Sequence, residues 1–130
     1  MCKDNEPYLV TLSYGYDKVN NSLFFHCAKE GQKIDFIKAN PSVCGTVIHD
    51  NGYKDGCGQA YCSVVYRGKM TIIEDLQEKI RGFEVLLNHL EKDPEFIKNK
   101  FFKDENDYNN PGMLRLDITS LSGKEEIAES

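Results

Sequence analysis

The sequence lacks any run of about 18 apolar residues, the length that a membrane-spanning helix requires. It also lacks the pattern of a signal peptide at its start, so we expect a cytoplasmic protein. Basic residues are in the minority, with 16 Lys and Arg against 21 Asp and Glu and a formal net charge of −5. Because binding to nucleic acid needs a basic face, this balance argues against a nucleic-acid partner.

A regular cysteine framework is absent as well. The chain has five cysteines, an odd number with irregular spacing, which are Cys2, Cys27, Cys44, Cys57 and Cys62. Disulfide scaffolds have even counts, so reduced thiols are expected. Cys57, Cys62 and His49 have the side chains of a zinc site, but their spacing matches no standard zinc pattern, and no metal is expected.

The 130 residues, 40% of them apolar, suffice for one domain with its own core, and neither an internal repeat nor a linker is visible.

Period-two alternation and β-branched residues predict strands at residues 7–16, 22–26, 43–49, 59–74 (bent near Gly68) and 113–120. Helical spacing and capping residues predict helices at residues 31–39, 75–90 and 94–102. Residues 50–58 are predicted to be a flexible loop, and the tail from Gly123 to be mobile. Several antiparallel strands with separate helices indicate an α+β domain or a small barrel.

One stretch, residues 24–41, predicts an anion site. A buried strand ends at His26, a polar turn contains Gly31, and a short helix ends before Pro41. The first amides of a helix lack partners and carry partial positive charge, and Lys29 and Lys33 lie nearby. A phosphate group would suit this turn, although the glycine pattern is neither a P-loop nor a dinucleotide fingerprint.

The order of several short motifs resembles a known family. They are PYLVTL (residues 7–12), LFFHCA (23–28), EGQKID (30–35), NP (40–41), Cys57 and YCSVVYRG (61–68). Together they closely resemble the nitroimidazole-resistance (Nim) family of the pyridoxamine 5′-phosphate oxidase-like, FMN-binding split-barrel superfamily. The resemblance covers about residues 7–124.

The resemblance implies a mainly β fold, an antiparallel six-stranded split barrel with peripheral helices, and a homodimer that binds FMN at its interface. It implies His26 as the catalytic residue beside the flavin ring. It also implies a cofactor-binding set of Val10, Thr11, Leu12, Ser13, His26, Cys27, Ala28, Lys33, Tyr61 and Ser63. Lys33 matches the basic residue of the phosphate-binding helix, and the backbone of residues 10–13 matches the strand against the ring.

The chain departs from the family pattern at two places. Relatives usually carry a helix and most of a first strand before the position of Pro7, so the single domain over residues 1–130 is expected to lack them. Cys62 stands where many relatives have an arginine, which removes one phosphate contact.

The resemblance predicts an FMN-dependent oxidoreductase that passes electrons to a small acceptor such as a nitroaromatic compound. The alternative is a non-catalytic dimeric module that binds flavin, or haem with His26 or His49 as the iron ligand. Structural roles remain open for the site residues: Lys33 as a solvated lysine, His26 as a strand histidine beside Phe24, and Ser63 as a sheet residue.

Overall fold

Residues 1–127 are described by a computed structural model of the chain. The strands are β1 (Cys2–Lys3), β2 (Glu6–Pro7), β3 (Gly15–Asp17), β4 (Ser22–Cys27), β5 (Ser42–Lys54), β6 (Gly58–Ile73) and β7 (Gly112–Glu126). The helices are α1 (Gln32–Ala39), α2 (Leu76–Leu90) and α3 (Pro94–Phe101), and a 3₁₀ turn covers Glu105–Asn109. None of the helices in residues 1–127 is both long enough and apolar enough to cross a membrane.

Five strands form one antiparallel sheet in the order β3-β4-β7-β6-β5, and β1 and β2 form a separate two-residue hairpin. The mainly β fold with peripheral helices is therefore confirmed. The pairing of β6 with β7 shifts register between Arg67 and Gly68, which is the predicted bend. A Cβ atom at Gly68 would collide with the carbonyl of Asp117, so the bend needs glycine.

Successive residues of β4 point to opposite faces of the sheet and join two apolar clusters. Leu23 and Phe25 pack with Ile34 and Ile37 of α1. On the other face, Phe24 packs among residues of α2 and the start of β7, which include Phe83, Leu86 and Met113. β4 is thus covered on both sides by helices, which fixes the position of the turn that follows it.

The predicted first strand, residues 7–16, is present only at its ends. Residues 9–13 make no backbone hydrogen bond with another part of residues 1–127. The alternation of the side chains is real, because Val10 and Leu12 are partly buried while Leu9, Thr11 and Ser13 are exposed. Side-chain periodicity reports which face is buried, and it cannot report whether a neighbouring strand lies within hydrogen-bonding distance.

The predicted loop at residues 50–58 is wrong. β5 continues to Lys54, β6 begins at Gly58, and a register shift lies between Asp50 and Tyr53. Gly52 (φ 98°) and Gly56 (φ 95°) adopt left-handed conformations, so these glycines serve a bulge and a tight turn within a hairpin. The predicted mobile tail is corrected for residues 123–126, which pair with β6, and its last residues, 128–130, lie outside the described part of the chain.

Candidate functional site

The turn between β4 and α1, residues 27–33, presents unsatisfied backbone donors. Gly31 precedes the helix with φ 134°, and no atom lies within 4 Å of where its Cβ would be. The first hydrogen bond of the helix runs from the amide of Asp35 to the carbonyl of Gly31. The amides of Gln32, Lys33 and Ile34 therefore have no partner in the helix, and no side chain caps it.

The other two α-helices of residues 1–127 are capped by a side chain. The carboxylate of Asp75 accepts a hydrogen bond from the amide of Glu78 (3.0 Å), and that of Asp93 accepts one from Phe96 (3.2 Å). α1 alone among these three helices begins at a glycine, which has no side chain to act as a cap. Its N-terminus is therefore available for an anion from outside the helix.

Cys27 lies inside this turn and is half-buried. Burial raises the pKa of its thiol, and the neighbouring ammonium groups of Lys33 and Lys79 act in the opposite direction. The thiol form therefore predominates near neutral pH.

Gly112 holds the start of β7 against the turn, and the sequence reasoning missed it. It pairs with Cys27, and a Cβ atom there would lie 3.0 Å from the carbonyl oxygen of Ala28 and 3.1 Å from that of Cys27. Such contacts are too short for a side chain to be added without movement. The signal in the sequence was the Pro111-Gly112 pair directly before an alternating strand.

A second predicted group, residues 10–13, borders a cavity of about 440 Å³ between this extended segment and β5. Val10, Thr11 and Leu12 line the cavity, while Ser13 is exposed and does not. Tyr66 also lines it, and burial raises the pKa of its phenol. This cavity, which we call the barrel cavity, is bounded by the unpaired backbone of residues 9–13.

His26 lies on the other face of β4. Its ring stacks on Phe83 of α2 with a centroid distance of 6.1 Å, and its side chain is exposed. Cys27 and Phe25, which flank it, point toward the face that carries α1. Within a single chain, His26 therefore lies outside the barrel cavity that Val10 and Leu12 line.

Tyr61 and Ser63 lie far from the turn. Both border a shallow cavity of about 370 Å³ with Ile48, and the ammonium group of Lys124 lies 5.6 Å from the Tyr61 ring centroid. Along β6, Ser63 precedes Ile73 by ten residues, and Ile73 shares a rung of the sheet with Met113 and His26. At about 3.3 Å per residue, this stretch of β6 measures about 33 Å along the strand, and the bend near Gly68 makes the direct distance shorter.

The structure therefore brings Cys27, Ala28 and Lys33 together at one turn, and places Val10, Thr11 and Leu12 at the neighbouring barrel cavity. It does not bring Tyr61 or Ser63 to either group within one chain. The described residues contain no group of three His, Cys, Asp or Glu side chains arranged for a metal ion. All five cysteines are unpaired.

Comparison with known proteins identifies the family. A family model described as pyridoxamine 5′-phosphate oxidase matches residues 1–125, while no curated protein matches the sequence. Among solved structures, one similar chain is described as a putative 5-nitroimidazole antibiotic resistance protein from Bacteroides thetaiotaomicron. It is 26% identical with a TM-score of 0.75, over 92% of this chain and 69% of that one.

Two further structures are similar. A FAD-binding protein from Mesorhizobium loti is 25% identical with a TM-score of 0.59, over 94% of this chain and 77% of that one. The flavocytochrome Anf3 from Azotobacter vinelandii is 13% identical with a TM-score of 0.70, over 98% of this chain and 59% of that one, and shares the fold alone. These matches agree with the resemblance found in the sequence, and the chain belongs to the pyridoxamine 5′-phosphate oxidase family.

Proposed function

We propose that this protein binds a flavin, specifically FMN, and acts as an oxidoreductase on a small electron acceptor such as a nitroaromatic compound. The observation that carries the proposal is the uncapped N-terminus of α1 beside Lys33. Free amides and an ammonium group together form the donor set that a phosphate monoester needs. The similar FAD-binding protein from Mesorhizobium loti supports a flavin as the ligand.

The turn fits a phosphate in shape as well as in charge. Gly31 leaves open space where any other residue would place a side chain, and Gly112 allows the backbone of β7 to support the turn from behind. FMN would place its ring toward the barrel cavity, where residues 9–13 have backbone donors and acceptors without partners. Backbone groups of this kind can hydrogen-bond to the polar edge of a flavin ring.

A homodimer would complete the site. Tyr61 and Ser63 lie twelve and ten residues along β6 from the rung that carries His26, so we infer that a second copy supplies them to the turn. Near them, Ile48 is 62% exposed and Tyr53 is 63% exposed. Large apolar side chains exposed together on a protruding hairpin are typical of a surface that is covered in an assembly.

The bound flavin would supply the electron transfer, and the protein would position the flavin and the acceptor. Lys33 and the α1 amides would hold the phosphate, and Val10 and Leu12 would shield the ring from water. His26 would donate a proton to the reduced acceptor as a general acid. Since His26 lies on the outer face of β4, we expect it to reach an acceptor only at the edge of the dimer site.

The first test is retention of FMN by Lys33→Glu, measured from the flavin absorbance of the purified protein. Reversing this charge should abolish retention, because the phosphate would then face a carboxylate. Lys38→Glu is the matched control, since it makes the same charge change on the same helix and should retain FMN. Equal flavin content in Lys33→Glu and the unmodified protein would overturn the phosphate site.

A second candidate function is flavin binding without turnover, and the position of His26 against Phe83 favours it. Steady-state oxidation of a nicotinamide cofactor with a nitro compound and FMN separates the two. An oxidoreductase should lose about 10²-fold or more of kcat in His26→Gln if this group delivers the proton. A protein that binds FMN and shows no turnover with any acceptor would instead be a binding module.

A further inference from the structure

A separate cavity of about 280 Å³ lies where α1, the beginning of α2 and the beginning of β7 meet. Its charged lining consists of three lysines and one carboxylate, namely Lys29, Lys38, Lys79 and Glu74. Its floor is apolar and includes Ile34 and Leu114. In a chain with a formal net charge of −5, this cavity carries a local excess of positive charge.

Lys79 is the central group of this cavity. Its side chain belongs to a residue that is only 5% exposed, and its Nζ donates to the carbonyl oxygens of Pro111 (3.3 Å) and Asn109 (3.5 Å). An ammonium group has three donors, so one remains after these two bonds. Burial, and after it the neighbouring Lys29, lower the pKa of Lys79, while Glu74 and Cys27 act in the opposite direction.

Lys79 has no counter-charge in direct contact. Within residues 1–127, none of the ion pairs includes Lys79, Lys29 or Lys38. Buried lysines are normally paired with a carboxylate, because an unpaired buried charge costs several kcal/mol. An anion in the cavity would therefore gain three nearby positive charges, and it would compensate a charge that the fold has already buried.

This cavity is distinct from the turn at residues 27–33. Lys33, which belongs to the proposed FMN site, does not line it, whereas Ile34 and Lys38 of the same helix do. The two regions share Lys29, from the turn itself, and Gly112, which supports the turn. α1 therefore separates two sets of positive groups that can be tested one at a time.

We propose that this cavity, the lysine cavity, binds a phosphate group, either free or carried by a small organic molecule. Three positive charges against one negative charge suit a phosphate, which carries a charge of about −1.5 to −2 near neutral pH, better than a single carboxylate. The apolar floor and the volume leave room for the organic part of an ester. The proposal concerns a different set of side chains from the proposed FMN site and does not depend on it.

The test is titration of the purified protein with inorganic phosphate, followed by calorimetry and by ³¹P NMR, with chloride at matched ionic strength as the salt control. Binding should be weakened about tenfold or more in Lys38→Gln and in Lys79→Gln, because each loses a charge-assisted contact. All of these titrations use a Lys33→Glu parent, in which the 27–33 turn no longer offers a phosphate site, and Lys18→Gln, an exposed lysine that does not line the cavity, is the matched control and should bind phosphate as the parent does. Circular dichroism of each variant verifies the fold, and Lys38, exposed on α1, serves as the decisive position if Lys79→Gln fails to fold.

A parallel titration with glycerol 3-phosphate distinguishes the source of the phosphate group. Tighter binding than inorganic phosphate identifies an organic phosphate, and equal or weaker binding identifies the free ion. The proposal is overturned if the unmodified protein binds neither probe, or if Lys38→Gln binds both unchanged. It is also overturned if the unmodified protein binds phosphate and the Lys33→Glu parent does not, which would place the phosphate at the 27–33 turn. Flavin content measured on the same samples keeps this result separate from the FMN proposal.

Discussion

The two ends of the five-stranded sheet differ in how they are covered. At one end, β4 and the beginning of β7 are enclosed by α1 on one face and α2 on the other, and Phe24, Met113 and Leu114 are completely buried. At the other end, β5, β6 and the end of β7 extend as an arm whose residues 48–57 are all exposed. The covered end has the contacts that stabilise a single chain, whereas the arm has apolar surface that a single chain leaves in water.

This difference explains why the candidate site is divided. The 27–33 turn needs a rigid position, and the covered end provides it through Gly112 and the two helices. Tyr61 and Ser63 belong to the arm, and in the proposed dimer the arm of one copy would reach the turn of the other. Stability and the proposed assembly would then depend on different residues, and substitutions can separate them.

The largest effect is expected from Leu114→Ala at the covered end. Leu114 is fully buried, and its truncation should lower the free energy of unfolding by about 3 kcal/mol through lost burial and the cavity left behind. Leu121→Ala on the same strand is the matched control. It is 59% exposed, so its effect should stay within about 0.5 kcal/mol. Urea unfolding measures the loss of unfolding free energy in each variant. Equal losses in the two variants would contradict the difference in burial between the two ends of the sheet.

The next effect concerns the arm. Ile48→Lys places a charge beside Tyr61 and Ser63, and it should weaken the proposed dimer by about 2 kcal/mol because the ammonium group would lose water on association. Val19→Lys, at a position 92% exposed in the β3–β4 turn, is the control and should leave association unchanged. Sedimentation equilibrium over a range of concentrations reports the dissociation constant. A monomeric unmodified protein at micromolar concentration would contradict the dimer.

A smaller effect is expected at low pH from the ion pair that ties β3 to α2. Asp17 accepts from Asn20 (2.8 Å) and from Arg81 (2.6 Å), and the hydrogen bond with Asn20, followed by Arg81, lowers the pKa of Asp17 from 3.8 to about 2. Because the folded pKa lies below the unfolded one, this stabilisation is present above pH 3.8 and is lost as the pH falls toward 2.

The expected loss is about 1–2 kcal/mol of unfolding free energy, since Arg81 is partly exposed to water. A comparison of urea unfolding between the unmodified protein and Asp17→Asn isolates the contribution of Asp17 from that of the other carboxylates. The difference between the two proteins should shrink as the pH falls from 3.8 toward 2. A constant difference across this range would show that Asp17 does not titrate as described.

The smallest effect concerns the start of α2. Asp75→Ala removes the cap on the Glu78 amide and should cost about 1 kcal/mol. In α1 there is no capping side chain to remove, because the residue before the helix is Gly31. Gly31→Ala should be destabilising for a different reason, since the φ of 134° at this position disfavours any residue with a side chain. Thermal unfolding of both variants compares them. A neutral Asp75→Ala would show that the cap adds no stability to the covered end.

Local signals predicted much of this structure. The Asp75 cap, the proline at the start of α3 and the bend near Gly68 each depend on a few adjacent residues, and each is present. The 27–33 turn was predicted for the same reason, since a strand, a glycine and a helix start follow one another directly. Contacts between distant residues were not visible, which is why Gly112 behind the turn and Lys79 beneath β7 were missed.

The same limit explains the errors. The glycines of residues 50–58 indicated a loop, but Gly52 and Gly56 provide left-handed positions within a long hairpin. The alternating residues 7–16 indicated a paired strand. Pairing also requires a neighbouring strand, such as β5, to lie within hydrogen-bonding distance, and alternation does not encode that distance. The distance between Ser63 and the turn depends on the register of β6 with β7, which no short motif encodes.

The unpaired backbone of residues 9–13 has a consequence for how the molecule fluctuates. Its amides lack the sheet bonds that slow hydrogen exchange in β4 and β7, so they should exchange with deuterium long before the rest of the domain. Local opening of this wall of the barrel cavity should therefore cost less free energy than opening of the sheet.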